Sequence, residues 1–160
     1  MPETRPRPWT ANEERIATIV TRIMSVLNTA LFQASGGRLG NKFLRGAPVC
    51  LVTTTGARSG QQRTTPLIYL ADRDDVVIVA SKGGMSHHPA WYHNLAAHPE
   101  ARVQIGSRAR DVLARRASDA EKAALWPRLV GIYPDYDDYQ ARTDRNIPVM
   151  ILSPRNPDSV

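Results

Sequence analysis

Cys50 is the only cysteine in 160 residues. No intramolecular disulfide can form, which suits a reducing cytoplasm, and zinc sites built on paired cysteines are excluded. Cys50 itself lies in the apolar run Pro48-Val-Cys-Leu-Val52, where a small buried side chain is expected. His87, His88, His93 and His98 lack zinc-site spacing and a clear carboxylate partner, so no metal is expected. The chain has only two phenylalanines and no recognisable nucleic-acid motif. It has neither a Gly-Lys-Ser/Thr phosphate loop nor a dinucleotide glycine pattern opening a helix. A Gly-x-Ser-x-Gly nucleophile elbow is also missing, which removes the commonest hydrolase design. No sustained apolar stretch of roughly 20 residues is expected, and the charged, proline-rich start, Met1 to Pro8, does not look like a secretory signal. A cytoplasmic protein is expected, with membrane association as the open alternative.

What is present is a basic chain, 21 Lys and Arg against 15 Asp and Glu, of a length suited to one domain. A net charge of +6 favours anionic partners. Residues 1–9 read as a flexible arm. Thr10-Ala-Asn-Glu13 has the form of a capping box and predicts a helix across 10–36, ended by Ser35-Gly36-Gly37. Ile16, Ile19, Val20, Ile23, Met24, Leu27, Leu31 and Ala34 fall on one face, Glu14, Arg15, Thr18, Arg22, Ser25 and Gln33 on the other. The expected partner of this stripe is the protein's own domain; the alternative is peripheral contact with a membrane.

Residues 37–154 carry β-rich runs at Val49 to Thr55, Thr64 to Leu70, Val76 to Ser81, Ala101 to Ile105, Arg108 to Arg115 and Pro148 to Leu152. Asp72 to Asp75 and Gly106-Ser107 are short turns, so antiparallel pairing is expected. Helices are predicted from Pro89 to Ala97, from the capping box Ser118-Asp-Ala-Glu121 to about Tyr133, and from Asp137 to Thr143. The fold class is α+β, a small barrel of about six mainly antiparallel strands with flanking helices. Residues 155–160 read as a flexible tail.

Three segments can carry chemistry. Thr53 to Thr65 turns between two strands, and its backbone amides with Arg58 and Arg63 suit an anion, although a solvated hairpin tip would look the same. Ala80 to Asn94 crosses Gly83-Gly84 into a helix bearing Trp91, with Lys82 near its start; the backbone can approach a flat ring there, while Trp and Tyr on a helix also serve as core. Tyr133, Tyr136 and Tyr139 bring phenols together and suit either an aromatic substrate or simple packing.

Together, Pro48 to Gly60, Ala80-Ser-Lys-Gly-Gly84, Pro89 to Leu95, Tyr133-Pro-Asp-Tyr136 and Thr143-Asp-Arg-Asn-Ile-Pro148 resemble the deazaflavin-dependent nitroreductase family of flavin/deazaflavin oxidoreductases. The resemblance runs from about Gly40 to Ser153. It implies a split β-barrel holding coenzyme F-420, an 8-hydroxy-5-deazaflavin with a strongly acidic tail. By resemblance Ala57, Arg58, Ser59 and Arg63 hold the phosphate and tail. Thr64, Thr65, Pro66, Leu67 and Ile68 flank the chromophore, and Val79, Ala80, Ser81 and Lys82 with Ala90, Trp91, Tyr92, His93 and Asn94 line the rest. Tyr133, Tyr136, Tyr139 and Met85 would shape the substrate side, with Tyr136 or Ser81 polarising the acceptor or giving a proton. Many relatives carry two adjacent basic residues in the phosphate turn; here Ala57 precedes Arg58, and weaker tail binding is implied. The implied activity is hydride transfer to a quinone, a conjugated ester or ketone, or a nitroheteroarene. The rival readings are an FMN-binding split barrel and a non-enzymatic basic module on a membrane surface. A small-molecule substrate is expected, nucleic acid is not, and a homodimer remains open.

Overall fold

A computed structural model describes residues 5–43 and 46–155; residues 1–4 of the arm and 156–160 of the tail lie outside the described residues. The capping box forms at Thr10 and Glu13 and opens α1 (Ala11–Ala34). Six strands follow, β1 (Val49–Thr55), β2 (Gln62–Asp72), β3 (Asp75–Val79), β4 (Glu100–Ile105), β5 (Arg108–Arg116) and β6 (Val149–Pro154). They close into an antiparallel barrel in the order β1-β2-β3-β6-β5-β4, with β4 returning to β1 through Val52 and Val103. The tight turns do what their residues require. Asp72 pairs with Asp75 across Arg73-Asp74, and Ile105 with Arg108 across Gly106-Ser107, where Gly106 takes φ +58°.

Strand alternation divides the apolar residues into two layers. Cys50, Val52, Val76, Ile78, Ala80, Val103, Val112, Met150 and Leu152 fill the barrel, closed at one end by Trp91 and Leu95 of α2 (Ala90–Ala97). Their neighbours Val77, Val79, Val149 and Ile151 face outward, beneath α3 (Asp119–Ile132) and α4 (Asp135–Arg142), which contribute Leu125, Leu129 and Tyr136, with Tyr133 between the two helices. Burial pushes the Cys50 thiol up to about 12, so it is an inert core residue.

Several boundaries move. The third strand stops at Val79 rather than Ser81, because Ser81 turns into the α region and starts a short 3-10 turn over Lys82–Gly84. The last helix begins two residues early, at Asp135, since Pro134 fits a helix start. The last strand starts after Pro148 and runs on to Pro154.

The larger correction concerns α1. Its apolar stripe does not pack on the domain: Ile16, Ile19, Val20, Ile23, Met24, Leu27 and Leu31 are all 47–63% exposed. The two buried residues, Glu14 and Phe32, lie on the opposite face, together with half-buried Ser25, Asn28 and Thr29. At about 100° per residue these two sets are half a turn apart. The helix therefore leans on β2 with its polar side and shows its apolar side to solvent. Periodicity locates such a stripe but is blind to the direction it faces. By length and composition α1 is also apolar enough to cross a membrane, which corrects the expectation that no such stretch exists. Nor is the described part of the arm loose, for the Trp9 indole donates to the Gly83 carbonyl at 2.8 Å and Arg142 stacks on its ring.

Candidate functional site

The site is assembled on the outward face of β1, β2 and β3. Val49 pairs with Ile68, Leu51 with Pro66 and Thr53 with Thr64, which puts these six side chains on the outside of the barrel. Val49 and Leu51 are covered, yet Thr64, Pro66 and Ile68 are only half-buried although α1 passes against their strand. Ile68 packs with the Val79 and tyrosine layer. Val79, at the end of β3, belongs to the same layer as Ile68, and the chain leaves the strand there for the Ser81–Gly84 turn. The result is a half-open strip on β2 with a basic turn at one end, and the Ser81–Gly84 turn follows from Val79 beside Ile68.

The basic end is the β1–β2 connection. Gly56 donates to Gln61 and Gly60 to Gly56, which folds the chain back and leaves Ala57, Arg58, Ser59 and Arg63 exposed. Asn94 of α2 fixes this turn from behind. Its Oδ1 accepts from the Ala57 amide at 3.0 Å, and its Nδ2 donates to the buried Thr54 hydroxyl at 3.0 Å. The Asn94 amide thus ties the turn to α2 and to β1.

The Ser81–Gly84 turn is held from several sides. Lys82, Gly83 and Gly84 have φ of +44°, +62° and +74°. For Lys82 that conformation costs on the order of 1–2 kcal/mol, which surrounding contacts must offset. Arg142 donates to the Gly83 carbonyl at 3.2 Å, and Gly84 lies so close to α4 that a β-carbon would come within 2.5 Å of the Tyr139 carbonyl oxygen. Arg145 reaches in from the segment before β6 and donates to the carbonyls of Ala80 at 3.1 Å, Ser81 at 2.6 Å and Met85 at 2.8 Å. From α1, Glu14 accepts from the Ser86 amide at 2.7 Å and hydroxyl at 3.0 Å. Burial lowers the Lys82 ammonium's pKa, with Glu14 pulling the other way. Lys82 is among the residues named from the sequence, but its strained backbone and the Arg142 and Arg145 supports have no local signal there; only the Thr143 to Pro148 motif reaches Arg145.

The tyrosines form a stack. Tyr133 and Tyr136 are T-shaped with centroids 5.2 Å apart, and the Tyr133 and Tyr139 hydroxyls are 3.1 Å apart. Burial raises the pKa of the Tyr133 and Tyr136 phenols, so both stay protonated at neutral pH. No intramolecular hydrogen bond to the Tyr136 hydroxyl occurs among the described residues.

Other expected site residues point elsewhere. Thr65, Leu67 and Ala80 face the barrel interior by register, and Trp91 is 6% exposed in that core, so their side chains are withheld from the strip. Tyr92 and His93 stack with His88 on another face of α2, where Arg116 of β5 donates to the Tyr92 hydroxyl. Ala90 is exposed at the start of the same helix. Met85 is 5% exposed beneath α1, with the Thr18 hydroxyl 3.9 Å from its sulfur, and forms no part of an open substrate wall.

A half-open apolar strip between a basic turn and a lysine suits a flat ring carrying a phosphorylated, acidic tail. Residues 24–154 match the family model of the F-420H(2)-dependent quinone reductases. The chain belongs to that family. A Mycobacterium tuberculosis quinone reductase of this description is 39% identical over 132 residues, covering 81% of this chain and 89% of the relative. A second Mycobacterium tuberculosis relative named for the same activity is 45% identical over 118 residues, 74% of this chain and 99% of the relative. Among solved structures, an F-420-H2 dependent reductase (FDR-A) is 43% identical with a TM-score of 0.62, covering 66% of this chain and 94% of its own. The protein is accordingly an oxidoreductase of split-barrel fold whose cofactor is coenzyme F-420. FMN, the alternative ligand, is not favoured by these relatives.

Proposed function

We propose that this family member reduces quinones on the outward strip of β2. Arg58, Ser59 and Arg63 take the phosphate and acidic tail, Thr64, Pro66 and Ile68 lie under the ring, and Lys82 and Ser81 meet its edge. The observation that carries this reading is the half-cover of Thr64, Pro66 and Ile68 between two turns that are both held rigid from behind. The reduced deazaflavin, when bound, supplies a hydride, and a hydride with one proton converts a quinone to a quinol. Tyr136 is suited to hold that proton, because its buried phenol stays protonated and has no hydrogen-bond partner among the described residues. Ser81, in the turn that follows β3, is the second candidate donor. Conjugated ketones, esters and nitroheteroarenes would accept the same hydride.

Titration with reduced F-420, with FMN in parallel, followed by reoxidation with menadione, tests the assignment. Saturable binding of the deazaflavin and menadione-dependent reoxidation are expected, with Tyr136→Phe slowing turnover by about 10²-fold. Absence of deazaflavin binding would remove the reading, and an unimpaired Tyr136→Phe would remove the phenol from it.

The outward stripe of α1 is, in the same proposal, covered by a second copy of the chain. A solved structure 38% identical to this chain, covering 85% of it and 98% of its own length with a TM-score of 0.65, is described as a domain-swapped dimer. With seven large side chains about half exposed, the stripe offers on the order of 800 Å², the share each partner gives to a standard interface. The Thr29 hydroxyl, buried on the inner side of α1 without a hydrogen-bond partner among the described residues, is consistent with a seat that is not the helix's final one. Light scattering of the full chain should give a dimer that Ile23→Asp with Leu27→Asp dissociates. A monomer that floats with anionic vesicles through the same residues would transfer the stripe to the membrane.

A further inference from the structure

We propose that Arg145 is a positioning residue for the cofactor site, acting through the backbone of the Ser81–Gly84 turn. The proposal rests on the strip being the F-420 site. Arg145 spends its guanidinium on four acceptors: the carbonyls of Ala80, Ser81 and Met85, and His88 Nδ1 at 2.9 Å. Three of these lie on the two sides of Lys82, the non-glycine residue at φ +44°, and they fix where the strand ends and where the turn comes out. A planar fork with donors on three nitrogens can span Ala80, Ser81 and Met85 at once; a lysine ammonium at the same place cannot. None of the four partners belongs to the ring site by its side chain except Ser81, so Arg145 reaches the site through geometry and not through contact. The Ser81 side chain and the Lys82 ammonium leave the chain on either side of the peptide that Arg145 clamps at the Ser81 carbonyl. When the clamp is lost, the turn is free to relax Lys82 to negative φ, and both side chains change direction.

His88 completes the clasp. Its pKa is lowered by burial and then by Arg145, His93 and Arg116, so at neutral pH it is an uncharged acceptor facing the guanidinium. The charged and titratable groups that face Arg145 and His88 are Glu14 of α1, Lys82 of the turn itself, His93 of α2, Arg116 of β5 and Lys122 of α3.

The test is a comparison of wild type, Arg145→Lys and Arg145→Gln, each full length, by F-420 fluorescence titration, steady-state kinetics with menadione and thermal melting. Arg145→Lys is expected to raise the Kd and the KM for reduced F-420 by about tenfold, the effect of losing one charge-assisted hydrogen bond, while the KM for menadione stays within about twofold. Millimolar ethylguanidinium should restore part of the affinity to Arg145→Gln. A purely structural arginine would instead lower the melting temperature and the active fraction, with Kd and KM unchanged in the folded fraction, and that outcome overturns the proposal. If neither substitution yields folded protein, His88→Leu serves, since leucine offers no acceptor and the guanidinium loses the contact that seats it on the three carbonyls; a Kd raised about twofold or more is expected, and an unchanged Kd again overturns the proposal. Failure of wild type to bind F-420 would sink the site assignment itself, whereas binding by wild type that the variants leave untouched sinks the role of Arg145 alone.

Discussion

Replacing Asn94 by alanine removes a side chain that joins α2 to the β1–β2 turn, and the structure allows its cost to be worked out. Two hydrogen bonds are lost, from the Ala57 amide to Oδ1 and from Nδ2 to the Thr54 hydroxyl. Ala57 is exposed, so water can take over its amide and the net loss there is about 0.5–1.5 kcal/mol. Thr54 is 1% exposed, and its hydroxyl is left without that partner where water has little access, which costs about 1–3 kcal/mol. The sum is roughly 2–4 kcal/mol, or roughly 5–15 °C in melting temperature for a domain of this size. Circular dichroism during thermal and urea unfolding measures it. The same variant should bind F-420 less tightly, because the exposed turn bearing Arg58 and Ser59 loses its anchor while keeping its charges. A double-mutant cycle with Thr54→Ala sharpens the test, since both residues share one bond and their costs should fall short of additivity by about 1 kcal/mol. A loss below about 1 kcal/mol for Asn94→Ala, or strictly additive costs, would refute the claim that this amide holds the turn.

Gly84→Ala forces a β-carbon against the Tyr139 backbone at φ +74°, whereas Gly60→Ala, at φ +68°, meets nothing within 4 Å. The first should cost more than about 2 kcal/mol and the second only about 1 kcal/mol of backbone strain, compared by urea unfolding; equal costs would show that α4 yields freely. Acid should weaken the fold through its capping carboxylates. Hydrogen bonds from Arg7 and then Thr10 hold Glu13 near 2, and those from Arg115 and then Ser118 hold Glu121 near 2, against an ordinary 4.5. A carboxyl group depressed on folding stabilises above its unfolded pKa, so this contribution is complete above pH 4.5 and is lost as pH falls toward 2. Both groups are exposed and the effect is modest. Glu121→Gln should flatten the stability curve between pH 4.5 and 2, and curves that stay parallel to wild type would exclude Glu121 as a source.

The parts that could be read in the sequence are those decided locally. The hydroxyl and carboxylate at Thr10 and Glu13, and again at Ser118 and Glu121, form the capping boxes their spacing announces. The β-branched run Val49 to Thr55 is a strand at those bounds, and Gly106-Ser107 makes the two-residue hairpin. The β1–β2 turn and the tyrosine stack also appear where their residues suggested. What escaped depends on partners distant in the chain. A helix with one apolar and one polar side can face either way, and for α1 the choice is made by Glu14 finding Ser86, 72 residues on. Trp91 and Asn94 sit three positions apart on one short helix; one fills the barrel and the other anchors a turn, and neither fate is written in residue type. Arg145 looks like any loop arginine until Ala80, Ser81 and Met85 are brought around it.

These long-range supports share a design. The two turns that flank the β2 strip are short, rich in glycine and, taken alone, too adaptable to hold a ligand edge to fractions of an ångström. Each is instead tied by a polar side chain from another element, Asn94 for the basic turn and Arg145 for the turn of Lys82. Neither side chain has to touch the cofactor, and both bond to backbone, so they constrain the path of the turn while leaving its side chains free to face the strip. Ordering costs are then met during folding and not at the moment of binding, which raises affinity without adding a contact. It follows that loosening either anchor should act on cofactor affinity first and on quinone recognition last. The stripe on α1 lies on the face away from Glu14 and Thr18, which with Trp9 tie the helix and its arm to the Gly83–Ser86 segment; it is a separate matter of assembly and should be separable from hydride transfer by mutation.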